Sequence, residues 1–343
     1  MHKTPLSFFG AFSGSASGSV SGPLSSFLSS GILSVTLTAA ALLSPLQAAA
    51  DPVTVQSCNR QVTFDTPPKA AVSNDVNLTE MMLVLGLRNS MVGYTGISGW
   101  KTLDEKMRDG VAELPELSEK YPTKEVLIGS DADFYFAGWN YGMKVGGEVT
   151  PETLKPFGIK VYELTESCIH IGKKNKVTMQ DMYNDLLNLG AIFGVKEKAQ
   201  ALVSTYKDEL SNFEKGLKKP TNPLRVFVYD SGEDKPFTAG RYAMPTAIIE
   251  AAGGTNIMDD FDKSWATVGW EAVVDRNPEV VVIVNYGNVT AEQKIAYMKN
   301  NPAFANIDAV KNDRFVVLEY VEATPGPRNI EAVKKLATAF YGS

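Results

Sequence analysis

Two stretches of this chain echo each other without a gap, each built around a glutamate. Lys124-Glu125-Val126-Leu127 runs through Asp133 into the apolar Phe134-Tyr135-Phe136. Trp270-Glu271-Ala272-Val273 runs through Glu279 into Val280-Val281-Val282. In both, an acid leads a short helical face, a polar turn follows, and a buried strand comes next. A short helix feeding a strand, used once in each half, predicts two similar α/β lobes. It also sets Glu125 and Glu271 at equivalent points of those lobes. Carboxylates related in that way suit docking onto a symmetric partner better than they suit catalysis. The plainer alternative is a generic βαβ echo.

The 343 residues, 44% hydrophobic and 21% charged, are enough to bury more than one core. Positions 4–50 carry no charge. After His2 and Lys3 comes a Ser/Gly-rich run (13–30), an apolar run (32–46), and Ala48-Ala49-Ala50 before Asp51. That order predicts a secretory signal peptide over 1–50 and a periplasmic location. A membrane anchor is the alternative, but Ser34, Thr36, Thr38, Ser44 and Pro45 leave the run short of the roughly twenty apolar residues a span needs. No cysteine follows the expected cleavage point, so a lipid anchor there is not expected.

Removing Lys3 takes the net charge from −6 to −7. Such an acidic surface argues against nucleic acid or anionic membrane as the main partner. Cys58 and Cys168, the two cysteines, are expected to pair in an oxidising compartment. A thiol nucleophile or metal ligand is the other reading, and neither cysteine sits in a CxxC pair.

The exported chain reads as an N-terminal α/β lobe (51–176), a helical region (177–221) and a C-terminal α/β lobe (222–343). In the first lobe, 53–55 and 61–64 alternate as a hairpin, and 70–73, 91–95, 134–137 and 161–164 read as strands. Asn77-Leu78-Thr79-Glu80 resembles a capping box opening a helix that Gly86 stops. Between the lobes, Met182, Leu186, Leu189 and Ile192, then Ala199, Leu202, Tyr206, Leu210 and Phe213, form an apolar stripe that Pro220 and Pro223 end. It predicts one long helix packed as core. Positions 225–229, 280–284 and 315–318 are strands of the second lobe, 245–252 and 331–341 helices.

In this order of elements the chain resembles the class III substrate-binding proteins of ABC importers, the siderophore and cobalamin type. The resemblance rests on Thr79-Glu80-Met81-Met82 with Leu85-Gly86-Leu87, the Glu125 segment, Thr238-Ala239-Gly240-Arg241, Ala252-Gly253-Gly254-Thr255-Asn256, the Trp270-Glu271 segment and Pro327-Arg328. It implies an α/β fold of two Rossmann-like lobes joined by a single long α-helix, with the ligand in the cleft between them. It also implies a monomer in which Glu125 and Glu271 meet arginines of a permease whose ATPase is a separate subunit. The aromatic and Cys168 segments depart from the best-known siderophore binders, which leaves the ligand open.

Ligands of open α/β sheets bind beyond the carboxyl ends of the strands. One step past each expected strand stand Asn74, Asp75, Trp100, Trp139, Tyr141, Tyr286 and Tyr320, with Arg241, Tyr242 and Trp265 on loops of the second lobe and Arg328 opening the last helix. Rings can stack on a flat conjugated ligand, and arginines can fork onto anionic oxygens. Each of these residues could equally pack under its own loop. His170 is the single histidine of the exported chain, so a multi-imidazole metal site cannot be built. Asp259-Asp260-Phe261-Asp262 lacks calcium-loop spacing and reads as a solvated turn. No built-in cofactor is expected; a metal would arrive in its own chelator, as a ferric catecholate or hydroxamate, a corrinoid, or the ligand would be a deazaflavin-like cofactor.

An enzyme is the rival reading. No GxSxG elbow, HExxH pair or dinucleotide-binding glycine turn is present, although Asp75 with Glu319 or Glu322 could face one cleft. A scavenger without a transport role is the third.

Overall fold

In the computed structural model, which describes residues 18–19, 51–101, 103–217 and 222–342, both echoed segments fold as a helix leading into a strand. Helix Lys124–Gly129 leads into Phe134–Trp139, and helix Trp270–Arg276 into Val280–Asn285. The leader, apart from two positions, and Pro220 lie outside the described residues. Ala49–Ser343 forms one unit.

That unit begins with an antiparallel hairpin of β1 (Val53–Ser57) and β2 (Arg60–Phe64). The first sheet comprises β3 (Ala71–Asn74), β4 (Met91–Thr95), β5 (Glu116–Ser118), β6 (Phe134–Trp139), β7 (Gly142–Met143) and β8 (Lys160–Glu163). Its strands are parallel in the order β5-β4-β3-β6, with β7 and β8 both pairing β6. The second lobe holds β9 (Arg225–Tyr229), β10 (Phe237–Ala239), β11 (Thr255–Asn256), β12 (Trp265–Thr267), β13 (Val280–Asn285) and β14 (Phe315–Glu319). Here β11-β9-β13-β14 form a parallel sheet and β10-β12 an antiparallel pair. The run β4-β3-β6-β8 has the same order as β11-β9-β13-β14, so the two sheets share one winding plan.

The acid before each central strand does the same job in both. The Asp133 carboxylate accepts the backbone N–H groups of Lys69 (2.8 Å) and Ala70 (3.0 Å) at the start of β3. Glu279 Oε2 accepts the N–H of Arg225 (3.0 Å) at the start of β9. Each fixes the register at which its central strand meets its neighbour.

Local details differ from expectation in two places. Helix Val76–Val84 is capped by Asp75, whose Oδ1 accepts Val76 N–H at 2.7 Å. No capping box forms at Asn77, because that residue already lies inside the helix; its amide donates to Pro325 O (2.7 Å), 248 residues away. The helix stops at Gly86, whose φ of +74° suits glycine. The apolar stripe between the lobes also divides into two helices, Met179–Ile192 and the longer Lys196–Lys215. Gly194, at φ +71°, turns the chain between them, and Gly190 packs against Ala199 where the pair closes.

One apolar cluster runs from Phe64 and Phe134 through Leu186 and Ile192 to Ile248 and Leu336, tying both lobes to the helical region. All six residues of β6 are buried, as a parallel strand covered on both faces requires. Cys58, in the β1–β2 turn, and Cys168 form the expected disulfide, with Cα atoms 5.1 Å apart. Closing a loop of that size stabilises by about 4–5 kcal/mol in the chain-entropy model.

Candidate ligand-binding cleft

The carboxyl ends of the strands of both lobes converge on one cavity of about 400 Å³. Beyond β4, β5 and β6 of the first lobe, Trp100, Tyr121 and Tyr141 contribute rings. From the second lobe come Phe237 of β10, Trp265 of β12, Tyr286 beyond β13 and Tyr320 beyond β14. The rings brace one another in pairs: Trp100 edge-on to Tyr121 (centroids 5.1 Å), Phe237 stacked on Trp265 (5.8 Å), and Tyr286 against Tyr320 (5.4 Å). Their polar tips are tied back, with Trp100 Nε1 donating to Gly96 O (2.9 Å) and Tyr121 Oη to Asn140 O (2.7 Å). Rings held this way present flat apolar faces at little further entropic cost.

Two charged groups of opposite sign face this cage. Lys101 Nζ sits 2.5 Å from Asp75 Oδ2 and lies over the rings of Tyr320 (4.4 Å) and Trp100 (5.1 Å). Burial pushes the Lys101 amine down, against the pull of Asp75. Asp75 is wholly buried beneath the cage, and its Oδ2 also accepts the Tyr320 hydroxyl across the lobes at 2.8 Å. Its backbone, at φ 73° and ψ 158°, occupies a region favoured by glycine, a strain of about 1–3 kcal/mol that the bonds to Val76 N–H, Lys101 and Tyr320 hold in place. Asp230, one step beyond β9, is the second charged group. Its Oδ2 accepts Tyr286 Oη and Ser231 Oγ, both at 2.8 Å, and burial pushes its carboxyl up. His170 also lines the cage. Burial and then the nearby Lys263 push its imidazole down, and Nε2 lies 3.2 Å from the Asn140 amide.

A larger, more polar chamber of about 660 Å³ adjoins the cage and shares Trp100, Lys101, Tyr286 and Tyr320 with it. Arg328 lines this chamber, but its guanidinium is engaged across the lobes. Nε donates to Glu80 Oε2 at 2.8 Å, and Nη1 pairs with Asp104. It clasps the lobes in this conformation; Nη2 is buried without a partner among the described residues.

Of the residues expected in the cleft, Trp100, Tyr141, Trp265, Tyr286 and Tyr320 meet in the cage, and Arg328 stands in the adjoining chamber. Asn74 is buried, with Oδ1 accepting the Thr95 hydroxyl at 2.9 Å. Asp75 acts through Lys101 and Tyr320. Trp139 points to the other side of β6, where Nε1 donates to the buried Glu163 at 2.9 Å. Arg241 and Tyr242 turn to Asp262, at 2.9 and 3.3 Å, and line neither chamber. Lys101, Tyr121, Asn140, Asp230 and Phe237 were not expected there. Asp230 follows its strand directly, so the strand-end rule reaches it once acids are considered beside rings and arginines.

Glu125 and Glu271 are exposed in the first turns of their helices. A backbone N–H in that first turn, then the Thr123 hydroxyl, holds the Glu125 carboxyl below its usual range. Glu319 and Glu322, the acids considered for hydrolysis, are occupied: Glu319 accepts the Asn285 amide (3.1 Å) and Glu322 caps Glu319 N–H (2.8 Å). Among the described residues no group of three or more His, Cys, Asp or Glu is placed to hold a metal, and no helix is long and apolar enough to cross a membrane.

The family described as "Periplasmic binding protein" matches residues 149–321. An uncharacterized ABC transporter substrate-binding lipoprotein, YvrC of Bacillus subtilis, is 24% identical over 91% of this chain and 96% of its own. A cobalamin-binding protein of Halobacterium salinarum is 24% identical over 91% of this chain and 83% of its own. The crystal structure of a periplasmic binding protein from Veillonella parvula superposes with a TM-score of 0.74 at 29% identity, covering 85% of this chain and 98% of that one.

Proposed function

This chain belongs to the periplasmic binding protein family, and from that premise we propose that it captures a conjugated solute in the aromatic cage and delivers it to an ABC-importer permease. The observation that carries this reading is the cage itself, in which rings from both lobes meet at the strand ends around about 400 Å³. A cavity of that size, apolar with a few convergent polar groups, is the usual form of a small-molecule site. Its solute would be a metal chelate or related cofactor; the chain itself would hold no resident cofactor.

The leader 1–50 would be cleaved near Asp51 and leave a monomer in the periplasm. The lobes, 51–176 and 222–343, would close modestly over the solute, limited by the helical region between them. Glu125 and Glu271 would then dock on the permease, with ATP hydrolysed by a separate subunit. Their equivalence extends to the first turn of a short helix on each lobe, where a carboxylate is exposed to an incoming arginine.

Tryptophan fluorescence of the exported chain, titrated with ferric siderophores, haem, corrinoids and flavin-type cofactors, tests capture. Saturable quenching is expected with one class, weakened at least tenfold in Trp265→Leu and unchanged in Trp139→Leu. Silence across the panel counts against the reading. Exchanging both glutamates for lysine should abolish uptake in cells and leave solute affinity intact; surviving uptake would remove the docking assignment.

A further inference from the structure

The charges around the cage do not suit an anionic solute. The two arginines expected to meet anionic oxygens are spent elsewhere, Arg241 on Asp262 and Arg328 on Glu80 and Asp104. The cationic side chain at the wall, Lys101, already has its countercharge in Asp75 at 2.5 Å. Asp230 has no ion-pair partner among the described residues: its hydrogen bonds come from the hydroxyls of Tyr286 and Ser231, both on Oδ2. The buried Lys294, which acts on it from over the Tyr286 ring, gives its ammonium to Val284 O at 2.6 Å instead. Oδ1 takes no hydrogen bond from the described residues. The cage therefore offers one carboxylate outside any direct ion pair, with an oxygen open among π faces, which attract a cation through the ring quadrupole. A buried carboxylate with a free oxygen also favours a charged or N–H donor over any anion.

Resting on the binding-protein reading above, we propose that the aromatic cage selects a planar solute bearing a positive charge, with Asp230 as the partner of that charge. Lys101 stays with Asp75, forming with Tyr320 the wall between cage and outer chamber. Parts of a larger solute that carry polar or anionic substituents extend past this wall into the outer chamber, where Ser98, Asn285 and Thr290 line the way. Ferric catecholate chelates, anionic over their whole surface, are disfavoured as cage ligands on this view.

Two tricyclic dyes of nearly one shape and opposite charge at neutral pH, thionine (cation) and resorufin (anion), test the proposal by isothermal titration calorimetry on the exported chain. Thionine is expected to bind at least about tenfold more tightly than resorufin, and Asp230→Asn to remove most of that preference. The comparison on the unaltered protein needs no variant, so it stands even if Asp230→Asn folds poorly. Resorufin bound as tightly as thionine would overturn the charge preference while leaving the binding-protein reading intact. A preference that persists in a folded Asp230→Asn would overturn the role of Asp230. Silence of both dyes would overturn the proposal; the reading it rests on is then decided separately, by the chelate and cofactor panel.

Discussion

The two lobes share a winding plan and differ in what stiffens it. In the first, the echoed helix opens on Lys124, which lies half-exposed with its ammonium 5.9 Å from the Phe157 ring. In the second, the same position is Trp270, packed against Tyr229 (5.2 Å) and Phe304 (4.4 Å) with its indole N–H bound to Glu233 O (2.5 Å). The first lobe relies instead on a covalent tie and buried polar groups. Cys58–Cys168 joins its hairpin to the segment after β8, and the buried Glu163 that ends β8 collects Ser57, Arg60 and Trp139. One plan can thus be rigidified by an aromatic plug or by a cross-link with a polar network. The second solution brings sensitivity to pH and redox state that the first lacks.

The largest test of that contrast is pH. Glu166, fully buried on the segment that follows β8, accepts only Met244 N–H (3.1 Å) among the described residues, and burial raises its carboxyl from 4.5 to about 8. An acid whose folded value lies above its unfolded one binds more protons when folded. Its stabilisation is therefore full below pH 4.5 and is lost as pH climbs to about 8, by at most about 4–5 kcal/mol. Glu166→Gln should flatten the dependence of unfolding free energy on pH across this window. An unchanged slope would mean that another group, such as Asp185, controls it.

Next in size is the plug. Trp270→Ala should cost about 3–5 kcal/mol in denaturant unfolding, while Lys124→Ala at the matching position stays within about 0.5 kcal/mol. Comparable losses at both would show that the lobes are stiffened alike. Reducing the disulfide should cost about 2–4 kcal/mol, less than the chain-entropy figure because the unfolded chain keeps some structure. By amide hydrogen exchange the loss should concentrate in β1, β2 and the segment after β8; uniform loss of protection in β9 and β13 would break the contrast.

Much of the frame can be read from the residues. β9 falls on 225–229 as expected, because a run of β-branched and aromatic residues bounded by Pro223 and a polar turn has few other fates. The echo is legible because its acids recur at a fixed distance before each central strand. The division of the interlobe stripe at Gly194 is harder to see, since the apolar period passes through it and only the positive φ reveals the turn. The cage was half legible. Tyr141, Tyr286 and Tyr320 stand where the strand-end rule puts them, but the rule misplaces Trp139, which is still the last residue of β6, a strand buried on both faces whose pleat gives no outward side to choose. Arg241 and Arg328 have acidic partners brought from 21 and 224 or more residues away, which no local pattern announces.

The smallest effect concerns the acids that begin the central strands. Asp133 accepts two backbone N–H groups of its neighbour, whereas Glu279 accepts one and adds an exposed contact with the Arg225 guanidinium at 3.3 Å. A hydrogen bond to a charged acceptor contributes about 1.5–3 kcal/mol when buried and less at a wet edge. The solvent-exposed ion pair adds well under 1 kcal/mol. Asp133→Ala should therefore cost about 1–2 kcal/mol and Glu279→Ala about half of that, read by urea unfolding of each variant. If the order reverses, the side chain's reach to arginine matters more than the number of backbone donors. The echo would then mark an electrostatic clamp in the second lobe and a register lock in the first.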